Sequence, residues 1–156
     1  MKPSFRYTKS VPAEWVDYNG HMNDAEYSRA FSLATDAFIE HVGLDEAARN
    51  QWNYTIFTLE THTCYLQEVK EKAAFDITAK ILDYDSKRMH LFFTMKNEAG
   101  ELVATFEEML MGIDQTEGRG APFPETVAAT IREIYQAQDN EEYIKQAGRT
   151  IGIRRK

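Results

Sequence analysis

Cysteine is nearly absent: one residue, Cys64, in a chain of 156. An internal disulfide framework and a cysteine-built zinc site are both excluded. No apolar run approaches the roughly 20 residues of a membrane span, and the opening stretch MKPSFRYTKSVPAEW lacks the apolar core of a secretory signal. Basic charge is also scarce, with 18 Lys and Arg against 25 Asp and Glu and a net charge of −7. That balance disfavours non-specific nucleic-acid binding. It favours the approach of a cationic ligand. A cytoplasmic protein is the default, with neither a membrane nor a nucleic acid as partner. The basic residues that do cluster lie near the C-terminus: Lys145, Arg149, Arg154, Arg155 and Lys156.

What is present is enough for one domain, residues 1–156, able to bury roughly two-thirds of its unfolded surface. Residues 5–16 read as a strand that Pro12 limits or places at an edge. Tyr27, Ala30, Phe31, Ala34, Phe38 and Val42 then recur at spacings of three and four, one apolar stripe of a long helix. Asn23 is its N-cap, Glu26 completes a capping-box-like pair, and Gly43 stops it. DEAARN suits a short helical turn. Residues 53–66, 74–84, 88–96 and 102–113 read as strands, the last three joined by short turns into an antiparallel meander. A second helix is expected over about 125–138, ahead of a polar tail. The core therefore spans about 5–115, with the C-terminal helix and basic tail in 122–156. An antiparallel sheet needs its apolar face covered, and only the early helix is long enough. The fold class is α+β: about five antiparallel strands wrapped around a long central helix, plus a C-terminal helix. The late strands are apolar on both faces, which suggests a further partner surface.

Between the first strand and the helix stands Val16-Asp17-Tyr18-Asn19-Gly20-His21-Met22-Asn23-Asp24-Ala25-Glu26-Tyr27. These are ordinary turn and cap residues. Their side chains can also do chemistry. Asp17 can act as base or nucleophile, and Asn19 and His21 can orient it, a water or a substrate. The N–H groups of Asn23, Asp24 and Ala25 at the helix N-terminus can hold an oxyanion. Asp17 and His21 have no further ligands near them in sequence, so no metal site is expected.

Element order and motif together resemble the hot-dog-fold thioesterases. The plastid acyl-carrier-protein thioesterases carry Asp-x-Asn-x-His-x-Asn at this place, matched here by Asp17, Asn19, His21 and Asn23, with Tyr27 also in position. The 4-hydroxybenzoyl-CoA thioesterase type keeps an aspartate and, three residues on, a glycine, matched by Asp17 and Gly20. Closer still is the likeness to the betainyl-CoA thioesterases of carnitine degradation, carried by DYNGHMNDAEY, ETHTCYLQEV and GRTIGIRRK. The resemblance implies hydrolysis of an acyl-CoA, with a short acyl group such as betainyl, and Asp17, Asn19 and His21 as catalytic residues. Coenzyme A would then be part of the substrate, with no separate cofactor. Plastid enzymes place a further glutamate or cysteine in the following strand; Glu60, His62 and Cys64 stand nearby, and none is assigned that role. Cys64 reads as a small buried residue, and Glu60 and His62 share its strand face.

Trp15, Tyr18, Tyr27, Trp52 and Tyr54, with Phe57, are candidates for an acyl pocket, where aromatic faces could hold a trimethylammonium group. Core packing is the competing reading, foremost for Tyr27 and Phe57. Arg149, Arg154 and Arg155 could meet CoA phosphates. Hot-dog subunits pair edge to edge, so a homodimer or dimer of dimers is expected. Two alternatives stay open. A hot-dog hydratase spaces its Asp and His by four residues, whereas only Tyr18, Asn19 and Gly20 separate them here. A non-catalytic acyl-thioester binder is the other.

Overall fold

The structure, a computed structural model, describes residues 4–155. Lys156 of the basic cluster lies outside them. Strand β1 (Arg6–Ser10) is followed by a single 3-10 turn (Ala13–Trp15), helix α1 (Asp24–His41) and helix α2 (Glu46–Trp52). Then come β2 (Tyr54–Tyr65), β3 (Ala74–Tyr84), β4 (Arg88–Asn97), β5 (Leu102–Asp114), the short β6 (Arg119–Gly120) and α3 (Glu125–Ala137). The sheet runs in the order β1-β3-β4-β5-β2, with β6 added to β5, and every pairing is antiparallel. It curls around α1 in the hot-dog arrangement. Among the described residues no helix is long and apolar enough to cross a membrane.

The six stripe residues Tyr27, Ala30, Phe31, Ala34, Phe38 and Val42 are all buried. Phe31 stacks on Phe106 of β5 at 4.9 Å, and Phe38 meets Phe5 and Phe93 edge-on. Burying a side chain of this size stabilises by about 1.5–3 kcal/mol. The helix therefore holds the sheet's inner face over most of its 18 residues. It ends as the glycine requires: Gly43 takes φ +103° while its N–H bonds Glu40 O and the Leu44 N–H bonds Ile39 O.

Four features depart from the sequence reading. β1 ends at Ser10, because Val11 leaves the ladder toward Ala73 O and Pro12 opens the 3-10 turn. It is an edge strand, paired to β3 alone. The meander holds for β3, β4 and β5, but β2 crosses to the far edge and pairs with β5. The capping box does not close. The Asn23 N–H already donates to Trp15 O at 2.9 Å, so the Glu26 carboxylate turns to Arg29 Nε at 2.9 Å. Finally, the polar tail lies on the protein as far as Gly148. The Gln138 side chain bonds the backbone of Ile81, Lys80 Nζ pairs with Glu142, and the Gly148 N–H donates to Glu107 Oε1 at 2.8 Å. The apolar outer face is thus partly covered from within the chain, and Phe92 beneath the tail is 2% exposed.

Candidate active site

The polar loop is a miniature hairpin. Val16 bridges Met22, the Asp17 N–H donates to His21 O at 2.9 Å, and the Gly20 N–H donates to Asp17 O at 3.0 Å. Gly20 sits at φ +79° with open space around its missing Cβ, so the turn needs it for backbone freedom alone. Asp17 organises the turn. Its Oδ1 accepts from the Asn19 N–H at 2.9 Å and from the His21 N–H at 3.3 Å. One carboxylate oxygen is fixed in this way, and the half-buried side chain holds one orientation.

The β2–β3 connection closes over the hairpin. The Met22 N–H donates to Val69 O at 2.6 Å, and His21 bridges Lys70. This brings His21 Nε2 to 3.3 Å from Glu68 Oε2. Tyr27, buried on α1, donates its hydroxyl to Gln67 O at 3.2 Å. Burial raises the Tyr27 pKa, and the nearby Glu68 and Tyr65 raise it further. Glu68 is the functional candidate that sequence reading missed. It lies in QEVKEK, which composition marks only as a charged turn, and contact with His21 depends on the loop folding back. Glu60, His62 and Cys64 do not reach the hairpin. They point to the outer face of β2, where His62 stands opposite Glu107 and Cys64 opposite Thr105. Glu107 there bonds His90 Nε2 at 2.6 Å.

At the helix N-terminus the three candidate N–H groups divide. Asn23 N–H is used by Trp15 O, and Ala25 N–H by the Asn23 and Asp24 side chains at 3.0 and 2.9 Å. The Asp24 N–H has no acceptor among the described residues. A donor so placed at a helix N-terminus is suited to an anionic group, because the helix dipole adds to it.

The aromatic candidates scatter. Trp15 is buried with Lys9 Nζ 5.2 Å from its ring. Tyr18 stands 97% exposed at the hairpin tip. Trp52 and Tyr54 lie at the opposite end of β2 from the loop, roughly 35 Å away along a strand of this length. Tyr54 is a core post, donating to Ala121 O at 2.9 Å and lying over Gly112; burial raises its pKa strongly. A second residue escaped sequence reading: Tyr65. Its hydroxyl donates to Asp24 O at 3.2 Å, and its ring meets Tyr27 edge-on at 5.2 Å. Arg149 lies over the middle of β2, beside Glu60 and His62. Arg154 and Arg155 are exposed.

The Asp17 carboxylate, the His21–Glu68 pair and the Asp24 N–H all belong to the hairpin, to the start of α1 that it leads into, or to the connection packed on it. They can drive water onto a carbonyl and hold the resulting oxyanion. The family described as the Thioesterase-like superfamily matches residues 11–131. A betainyl-CoA thioesterase of Pseudomonas aeruginosa is 38% identical, over 94% of this chain and 93% of that protein. An L-carnitine dehydrogenase/betainyl-CoA thioesterase of Agrobacterium fabrum is 37% identical over 90% of this chain, which spans 29% of that larger protein. A Staphylococcus aureus protein solved in complex with CoA superposes with a TM-score of 0.93 at 40% identity, covering 99% of this chain and 98% of that one.

Proposed function

The chain belongs to the thioesterase-like superfamily, and from that premise we propose that it hydrolyses betainyl-CoA to betaine and CoA. Acyl-CoA thioester hydrolysis is the activity that fold and relatives support together. The single observation that carries the site is Asp17, its Oδ1 held by two backbone N–H groups in the hairpin that leads into α1.

In this reading the free oxygen of Asp17 takes a proton from water as the water oxygen bonds to the thioester carbon. The carbonyl oxygen becomes an oxyanion against the Asp24 N–H. Collapse breaks the carbon–sulfur bond, and the proton returns from Asp17 to the CoA thiolate. His21, braced by Glu68, orients the water or the leaving group. Asn19, exposed at the turn, remains within reach of substrate. Direct attack by Asp17 through a mixed anhydride is the alternative route. Single turnover in heavy-oxygen water tests the second route: an Asp17 carboxyl that gains solvent oxygen, with a first product that lacks it, shows an anhydride opened by water at the Asp17 carbon.

Asp17→Asn tests the assignment. The amide oxygen can still accept from the Asn19 and His21 N–H groups, so the turn survives. Thiol release from an acyl-CoA panel that includes betainyl-CoA is expected to fall by roughly a thousandfold. Circular dichroism should not change. Near-wild-type release by a folded variant would remove Asp17 from the mechanism.

The acyl pocket needs more than one copy in this reading. β2 is an open edge, bonded only to β5. Antiparallel pairing of two β2 edges about a two-fold axis would lay the Trp52–Tyr54 end of one copy beside the Tyr65 end of the other. We take the functional unit to be at least a homodimer.

A further inference from the structure

Resting on the betainyl-CoA reading, we propose that Tyr65, backed by Tyr27, is the aromatic wall that receives a quaternary ammonium group on the acyl chain. A trimethylammonium head has no N–H to donate. It can be recognised only through aromatic faces and charge acting through space. In betainyl-CoA that head stands one methylene from the thioester carbon. Its binding wall must therefore lie beside the oxyanion site itself.

Tyr65 meets this condition. Its hydroxyl donates to Asp24 O at 3.2 Å, on the residue whose N–H the proposed mechanism assigns to the oxyanion. Its ring meets Tyr27 edge-on, at 83° between planes. The side chain remains 51% exposed, so a ring face stays open to a ligand. Burial raises the Tyr65 and Tyr27 pKa values, and negative charge on Asp24 and Glu68 raises them further, respectively. Arg29, in the second turn of α1, is engaged by Glu26 at 2.9 Å. Within one chain the other aromatics drop out. Trp15 already faces Lys9, Tyr18 projects from the hairpin tip, and Trp52 and Tyr54 sit at the far end of β2.

The test compares betainyl-CoA with 3,3-dimethylbutanoyl-CoA, its neutral carbon isostere, which has the same shape and no charge. The wild type should favour betainyl-CoA in kcat/KM. Tyr65→Phe keeps the ring and should keep the preference. Tyr65→Leu should lower the preference at least about tenfold, mainly by slowing betainyl-CoA. A Leu variant with an unchanged ratio overturns the proposal. So does a Phe variant that loses as much as Leu, because the hydroxyl's hold on Asp24 would then be the cause. Phenylalanines with one, two and three ring fluorines at position 65 preserve size while weakening the ring face, and the preference should fall stepwise. A flat series overturns the proposal even if the Leu variant fails to fold. Equal wild-type rates on the two substrates would instead remove the betainyl reading, and no thiol release from any acyl-CoA would remove the thioesterase reading.

Discussion

Glu108 sits on the inner face of β5, 3% exposed, with its Oε2 2.7 Å from Thr35 Oγ1. The Thr35 hydroxyl also lies 2.8 Å from Phe31 O. One proton cannot satisfy two acceptors. A protonated Glu108 resolves this, donating to Thr35 while Thr35 donates to Phe31. Burial pushes the carboxyl up to about 7, offset in part by Thr35 and assisted by Asp36. The linkage follows in sign. Below the ordinary Glu value both folded and unfolded chains carry the proton. As pH rises from there, the unfolded chain ionises first and stability falls, levelling once pH passes about 7. The loss across that window is about 3 kcal/mol. Glu108→Gln should remove it, so the variant should melt higher than wild type at pH 8 and nearly equal to it at pH 4. Parallel melting curves for the two proteins across that range would show that Glu108 ionises freely in place.

The helix, the strands and the hairpin turn were legible because each is written locally. The three-and-four stripe of α1 is a property of neighbours, as are the alternation of Met89, Leu91, Phe93 and Met95 and the Asn23 cap, which does bond Ala25 N–H. What sequence reading missed depends on chain folding back. Glu68 meets His21 only because the β2–β3 connection bridges the hairpin, and Tyr65 meets Asp24 only because β2 runs beside the start of α1. Tyr54 shows the opposite error. Near the loop in composition, it is a packing element far from it in space. A Cβ at Gly112 would stand 1.6 Å from the Tyr54 hydroxyl and 2.6 Å from its ring carbon. Gly112→Ala should therefore cost at least about 2 kcal/mol. Tyr54→Phe in that background removes the nearer clash, so it should restore part of the loss in urea unfolding. No restoration would mean the backbone, not the tyrosine, absorbs the strain.

At the scale of the whole molecule, one strand carries the open question. β2 presents an unpaired edge of 12 residues, with Phe57 and Leu59 about half exposed at 53% and 50%. An edge of this length and apolarity invites another strand. The ladder also slips between Thr58 and Glu60, placing an irregularity near the middle of the strand. In a two-fold pairing that midpoint lies close to the axis, so Leu59 of one copy approaches Leu59 of the other. Leu59→Glu would then set two like charges beside the existing Glu60 pair, a juxtaposition that opposes pairing. The variant should sediment as a monomer at micromolar concentration where the wild type sediments as a dimer or larger. Each copy keeps its own Asp17, His21, Glu68 and Asp24, because these come from one chain. In the proposed pairing, what a monomer would lose is the second copy's exposed Trp52 and Phe57. Hydrolysis should therefore fall at least about tenfold with the fold intact, and should recover as protein concentration is raised through the association range. Full activity in a variant that stays monomeric at every concentration would show that one chain completes the site, with Tyr65 and Tyr27 as its whole acyl wall.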